Sequence, residues 1–284
     1  MRVCTFVWLA VVLAGCSPIH LVNTLSPSSH YQMASSVAYG SDQRQTLDVY
    51  VPTQVALPAP VVVFFYGGGW EDGKKRDYEF VASSLTDAGY VVVVPDYRLY
   101  PDVVFPAFVE DGAAAIAWTM RNVKLYGGDA TQLFLMGHSA GAHIAAMLSA
   151  DPQYLAAQQI DVQRLSGLIG LSGPYDFLPL NEDSYLAELF PAATRDASQP
   201  INFASAAMPP TLLIHGTGDD VVEVGNSERF AARLTEVGAD VTLKRYDGVG
   251  HAAVAAALSP PLDFTNSTLE DSRAFLDANS SSAD

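Results

Sequence analysis

Residues 132–150 read QLFLMGHSAGAHIAAMLSA, and their order decides the fold. The run Gln132–Met136 is a short apolar stretch of strand character, Gly137-His138-Ser139-Ala140-Gly141 fits G-x-S-x-G, and Ala140–Ala150 is a small-residue helix. Strand, sharp turn and helix in immediate succession form a nucleophile elbow, with a serine hydroxyl raised on a strained turn. The flanking positions must be glycine because neighbouring backbone comes too close for a Cβ. The helix N-terminus then directs N–H groups and positive dipole at a developing oxyanion.

Working outward, the same alternation recurs. Leu47–Val51 reads as an edge strand. Val61–Tyr66, Val91–Val94, Leu168–Leu171 and Thr211–His215 are short aliphatic runs, as expected of strands covered on both faces of a parallel sheet. Val241–Tyr246 is a further, more polar strand. Helical patterns lie between them at Tyr78–Ala88, Pro106–Tyr126, Ser227–Val237 and Leu269–Ala278. Alternating strands and helices predict an α/β fold with a mostly parallel central sheet flanked by helices. Residues 174–209 break the rhythm with Pro, Asp and aromatic side chains and predict a small lid-like insertion.

The 284 residues are 49% hydrophobic and 16% charged, enough for one large core. Fifteen basic against 31 acidic residues give a formal net charge of -16, which repels phosphate backbones and argues against a nucleic-acid partner. At the N-terminus Arg2 precedes an apolar run, Val3–Ala14, too short to span a bilayer. It ends in Leu13-Ala14-Gly15-Cys16, which resembles a bacterial lipobox. This predicts a signal peptide over 1–15, a lipidated Cys16, a tether over 16–36, a catalytic domain over 37–279 and a tail over 280–284. Cys4 and Cys16 are the two cysteines, so the mature domain is expected to have neither disulfide nor catalytic thiolate. Ser17 after the cysteine resembles the pattern sorted to the outer membrane of diderm bacteria.

In chains carrying this elbow, an acid and then a histidine follow the serine. His20 and His30 fall in the tether, His138 and His143 in the elbow and its helix, and His215 precedes every acid of its own loop. His251, in the Gly-rich stretch Asp247–His251, remains as the base. The acid belongs in His215-Gly216-Thr217-Gly218-Asp219-Asp220. Asp219 is favoured by the H-G-x-x-D pattern, with Asp220 and then Glu223 behind it; Asp176, beyond another strand end, is a further candidate. Tyr66-Gly67-Gly68-Gly69-Trp70 follows an early strand as an HGGG-type loop does.

Together with Val94-Pro95-Asp96-Tyr97-Arg98-Leu99, Phe105-Pro106-Ala107, Tyr126-Gly127-Gly128-Asp129 and the GVGH segment, these motifs resemble the carboxylesterase branch of the α/β-hydrolases, near the hormone-sensitive-lipase-like and feruloyl-esterase-like enzymes. The resemblance implies an oxyanion hole from the backbone N–H groups of Gly68, Gly69 and Ala140, and hydrolysis of small to medium acyl or aryl esters. Tyr66 departs from the family's usual histidine and is expected to support the loop from beneath. Asp96, Tyr97, Arg98 and Asp129 are expected to hold loops. No metal ligand set or organic cofactor is implied. An arylformamidase-like amidase or an envelope transacylase would use the same triad, and a non-catalytic binding lipoprotein is the reading from another class.

Overall fold

Eight strands account for the valine-rich runs: β1 (Tyr31–Ala38), β2 (Thr46–Pro52), β3 (Ala59–Phe65), β4 (Val91–Pro95), β5 (Gly128–His138), β6 (Leu165–Leu171), β7 (Thr211–Gly216) and β8 (Val241–Tyr246). The computed structural model describes residues 22–23 and 26–280. The strands form one sheet in the order β1-β2-β4-β3-β5-β6-β7-β8. β2 pairs antiparallel with both its neighbours, and every pairing from β4 to β8 is parallel. Val61 to Phe65 and Val91 to Val94 are fully enclosed. Each such side chain contributes roughly 1.5–3 kcal/mol on leaving water, which is why these runs lack polar alternation.

The helices are α1 (Glu79–Asp87), α2 (Ala107–Asn122), α3 (Ala140–Ala150), α4 (Pro152–Ala157), α5 (Tyr185–Leu189), α6 (Gly225–Glu236), α7 (His251–Ala256) and α8 (Thr268–Asn279). α3 is buried along its whole length and packs on β5 and β6. Its small side chains let it sit close to the sheet: a Cβ on Gly141 would stand 2.1 Å from the Phe65 carbonyl oxygen. The insertion at 174–209 contains only α5 and two short 3-10 turns. It is held by loop contacts such as Phe105 N–H to Leu189 O at 2.9 Å.

The start of the folded domain differs from the sequence reading. Residues 31–36, assigned to the tether, belong to β1, an edge strand with a largely exposed face. Its residues YQMASSVA carry too little apolar alternation to announce a strand; backbone pairing with β2 makes it one. The chain before it is also fastened. Asn23 Nδ2 donates to Arg76 O at 2.8 Å and its Oδ1 accepts from Phe80 N at 3.0 Å. Ser83 Oγ donates to Pro27 O at 2.6 Å, and His30 Nε2 lies 2.8 Å from Ser83 O. This stretch therefore runs down α1, held by polar side chains rather than hydrophobic periodicity. Cys16 and the signal segment lie outside the described residues.

Candidate active site

Ser139 sits between β5 and α3 with φ 54° and ψ −123°, outside the comfortable range of a residue with a side chain. Its N–H donates to Leu171 O at 2.9 Å. Leu171 ends the neighbouring strand β6, so the turn is fixed by the sheet itself. The glycine loop closes on it from the other side: a Cβ on Gly67 would stand 2.9 Å from Ser139 Cβ. Gly68 and Gly69 follow with φ of 139° and 59°. The N–H groups of Gly68, Gly69 and Ala140 donate to no acceptor among the described residues.

Two further loops bring in an acid and a base. His251 opens α7, with Gly250 before it in extended conformation. Its Nδ1 lies 2.7 Å from Asp219 Oδ2. The carboxylate can only accept, so Nδ1 carries the hydrogen, and in the neutral ring that leaves the lone pair on Nε2. The Asp219 side chain is fully enclosed, while Asp220 and Glu223 are exposed and Asp176 is engaged by Arg229. The two loops meet backbone to backbone. Gly218 N–H donates to Val249 O at 3.1 Å, Gly248 N–H donates to Thr217 Oγ1 at 2.9 Å, and a Cβ on Gly216 would lie 1.9 Å from Val249 O. No side chain fits between them, which explains the glycines of HGTG.

His215, set aside as a base on chain order, has a different place. Its Nδ1 lies 2.7 Å from Ser227 Oγ, and its Nε2 faces Val222 O at 2.8 Å and Asp219 Oδ2 at 3.2 Å. Asp219 thus accepts from two imidazoles and from the N–H groups of Val221 and Val222 at 3.0 and 2.8 Å. Burial pushes its carboxyl up, but the hydrogen bonds from His215, His251 and Val222 outweigh this and hold it well below the usual carboxylate range. His215 lies in β7 and Asp219 in the loop after it, so no helical spacing in the sequence announced this contact.

Tyr66 is buried beneath the glycine loop, stacked on Tyr97 at 4.6 Å. Its hydroxyl accepts from Arg44 Nη2 at 2.7 Å, and Tyr97 Oη donates to Tyr66 O at 2.8 Å. Asp96 accepts from Lys75 N at 2.7 Å and Nζ at 3.0 Å, and Arg98 grips Asp111 with Nε and Nη2 at 2.9 and 2.7 Å. Asp129 caps its turn through Thr131 N at 2.9 Å.

Above Ser139 lies a cavity of about 400 Å³. Gly69, Trp70 and Ser139 form its floor, and Phe177, Leu178, Leu180, Tyr185 and Leu186 of the insertion form its apolar wall. Val221 and Val222 close the side next to Asp219. Asp176, Glu223, Asn226 and Arg229 add polar groups to the lining.

The family model described as BD-FAE matches residues 47–234. Probable isoprenylcysteine alpha-carbonyl methylesterase ICME of Oryza sativa subsp. japonica is 32% identical over 78% of this chain and 59% of its own length. Esterase LipC of Mycobacterium tuberculosis (strain ATCC 25618 / H37Rv) is 34% identical over 76% of this chain and 58% of its own. The chain spans about three-fifths of the length of these curated relatives. A solved structure, a truncated form of carbohydrate esterase from gut microbiota, matches with a TM-score of 0.79 at 21% identity, covering 89% of this chain and 99% of that one; the likeness is one of fold.

Proposed function

The chain belongs to the BD-FAE family, and from that premise we propose that it is a serine carboxylesterase of small to medium acyl or aryl esters. Ser139 is the nucleophile, His251 the base and Asp219 the acid. The observation that carries this reading is the 2.7 Å bond from His251 Nδ1 to an enclosed Asp219. It leaves Nε2 as an acceptor on a loop resting against the elbow, where His251 O lies 3.2 Å from His138 Nε2. Ser139 Oγ and His251 form no hydrogen bond in this structure; such contacts commonly tighten only once substrate is bound. In the reaction Nε2 takes the Ser139 proton and the alkoxide attacks the ester carbonyl. The N–H groups of Gly68, Gly69 and Ala140 receive the oxyanion. Collapse expels the alcohol, which takes the proton from His251, and an acyl-enzyme remains. Water activated by His251 then releases the acid. The names of the two curated relatives, both esterases, support this chemistry.

The domain without residues 1–16 should hydrolyse p-nitrophenyl esters, with a chain-length profile set by the cavity. Ser139→Ala should lower kcat by about 10⁶ and Asp219→Asn by about 10⁴, while Asp220→Asn stays within twofold. Activity surviving in Ser139→Ala would refute the assignment.

The lipobox-like LAGC supports a second proposal: Cys16 carries lipid and anchors the enzyme in a bacterial envelope, with Ser17 favouring the outer membrane. Metabolic labelling with an alkynyl fatty acid should mark the full chain and not Cys16→Ser. Equal labelling of both would remove the anchor from the account.

A further inference from the structure

His138 immediately precedes Ser139, and its buried ring is aimed at two other segments. Nδ1 lies 2.9 Å from Tyr78 Oη, and Nε2 lies 3.2 Å from the backbone oxygen of His251. These partners fix the protons. A carbonyl only accepts, so Nε2 bears the hydrogen; Nδ1 is then an acceptor, and the Tyr78 hydroxyl must donate to it. Gly67 closes on the same ring from the glycine loop: a Cβ on it would stand 3.0 Å from His138 Nδ1. The chain of donors runs one way, from Tyr78 O–H to His138 and on to His251 O. Burial, reinforced by the neighbouring His251, holds the His138 ring down to about 3, so it stays neutral and this order persists at neutral pH.

The groups joined belong to three segments that must be in register for acyl transfer. Gly67 opens the glycine loop and packs on Ser139 Cβ and His138 Nδ1. His138 lies in the elbow, and His251 opens α7. We infer that Tyr78 and His138 are positioning residues, whose packing against Gly67 and Tyr66 and hydrogen bond to His251 O set the glycine loop and the base at a fixed separation about Ser139. Neither is assigned contact with substrate. The kinetic consequence rests on the esterase reading; the proton order does not.

Tyr78→Phe is the selective probe. The ring is held by Phe64 at 5.4 Å, Phe80 at 5.6 Å and Tyr66 at 6.3 Å, so the variant keeps its packing and loses only the hydroxyl. With circular dichroism confirming full folding, kcat on p-nitrophenyl butyrate should fall about thirtyfold with KM within twofold, the scale expected for misplacement of reacting groups. His138→Phe should fall at least as far, and His138→Gln, whose amide can donate to His251 O, should recover most of the loss. Wild-type kcat in Tyr78→Phe and His138→Phe, with only melting temperature lowered, would overturn the inference. Long-range ¹⁵N–¹H correlation spectra of the imidazoles give a readout independent of turnover. His138 should appear as the Nε2–H tautomer; the Nδ1–H tautomer would overturn the relay. A wild-type chain inactive on esters but showing the Nε2–H tautomer would break the esterase reading and leave the relay standing.

Discussion

The loops that bring Asp219 and His251 together and the insertion that walls the cavity are built on opposite principles. In the first, backbone meets backbone: Gly216 and Gly218 lie against Val249 O and Gly248 O with no room for a methyl group. In the second, side chain meets side chain. Phe177 and Phe190 pack at 5.1 Å, and both contact His143 at 5.8 Å. The contrast teaches where variation can enter. A frame of carbonyls and amides has one solution, whereas a wall of aromatic and aliphatic groups can be rebuilt without moving Ser139, Asp219 or His251.

Gly216 is the tightest point of the backbone frame, 1.9 Å from Val249 O for any added Cβ. Gly216→Ala should destabilise the fold by about 3 kcal/mol, because the obstacle is a carbonyl oxygen that cannot rotate away. Urea denaturation would measure it, and near wild-type stability would show that the two loops are not closely locked. His143→Gln tests the other side. Burial drives the His143 ring down to about 4, partly opposed by its bond to Ser198 O, while an unfolded histidine titrates near 6.5. The folded state therefore resists a proton that the unfolded chain accepts. The contribution is complete above about pH 6.5 and is lost as pH falls through about 4, by up to about 3 kcal/mol. Glutamine can keep a donor toward Ser198 and does not titrate, so melting temperature against pH should fall less steeply between 6.5 and 4; unchanged steepness would exclude His143 as a source. The smallest effect belongs to Gly248→Ala. Its Cβ would meet nothing within 4 Å, and only its φ of 68° resists, a cost of about 1 kcal/mol.

The same contrast governs what could be read from the sequence. Val91–Val94 and Thr211–His215 appear within a residue of β4 and β7 because total burial leaves an unbroken apolar run. The elbow was legible because its chemistry demands glycine at fixed spacing, and Asp219 stood out from Asp220 by the same kind of spacing. β1 was not legible, since its residues are held by ladder bonds that any side chain permits. Nor could periodicity show two imidazoles on one carboxylate, or Tyr78 reaching His138 across 60 positions of chain. Contacts of that kind exist only once the sheet has brought the strand ends together.

The path of the chain before β1 bears on orientation. β1 runs parallel to β4, so Tyr31 lies at the edge of the sheet opposite the strand ends that carry Ser139 and Asp219. Yet Asn23 is tied to Arg76 and Phe80, at the start of α1 just after the glycine loop. The segment between therefore joins the two edges, with Asn23 on the side of Ser139 and Asp219. A lipid on Cys16 would be leashed there by seven residues, about 25 Å at full stretch. The proposed anchor would thus join the described protein at the same edge of the sheet as Ser139 and Asp219, and not at the opposite edge where β1 begins.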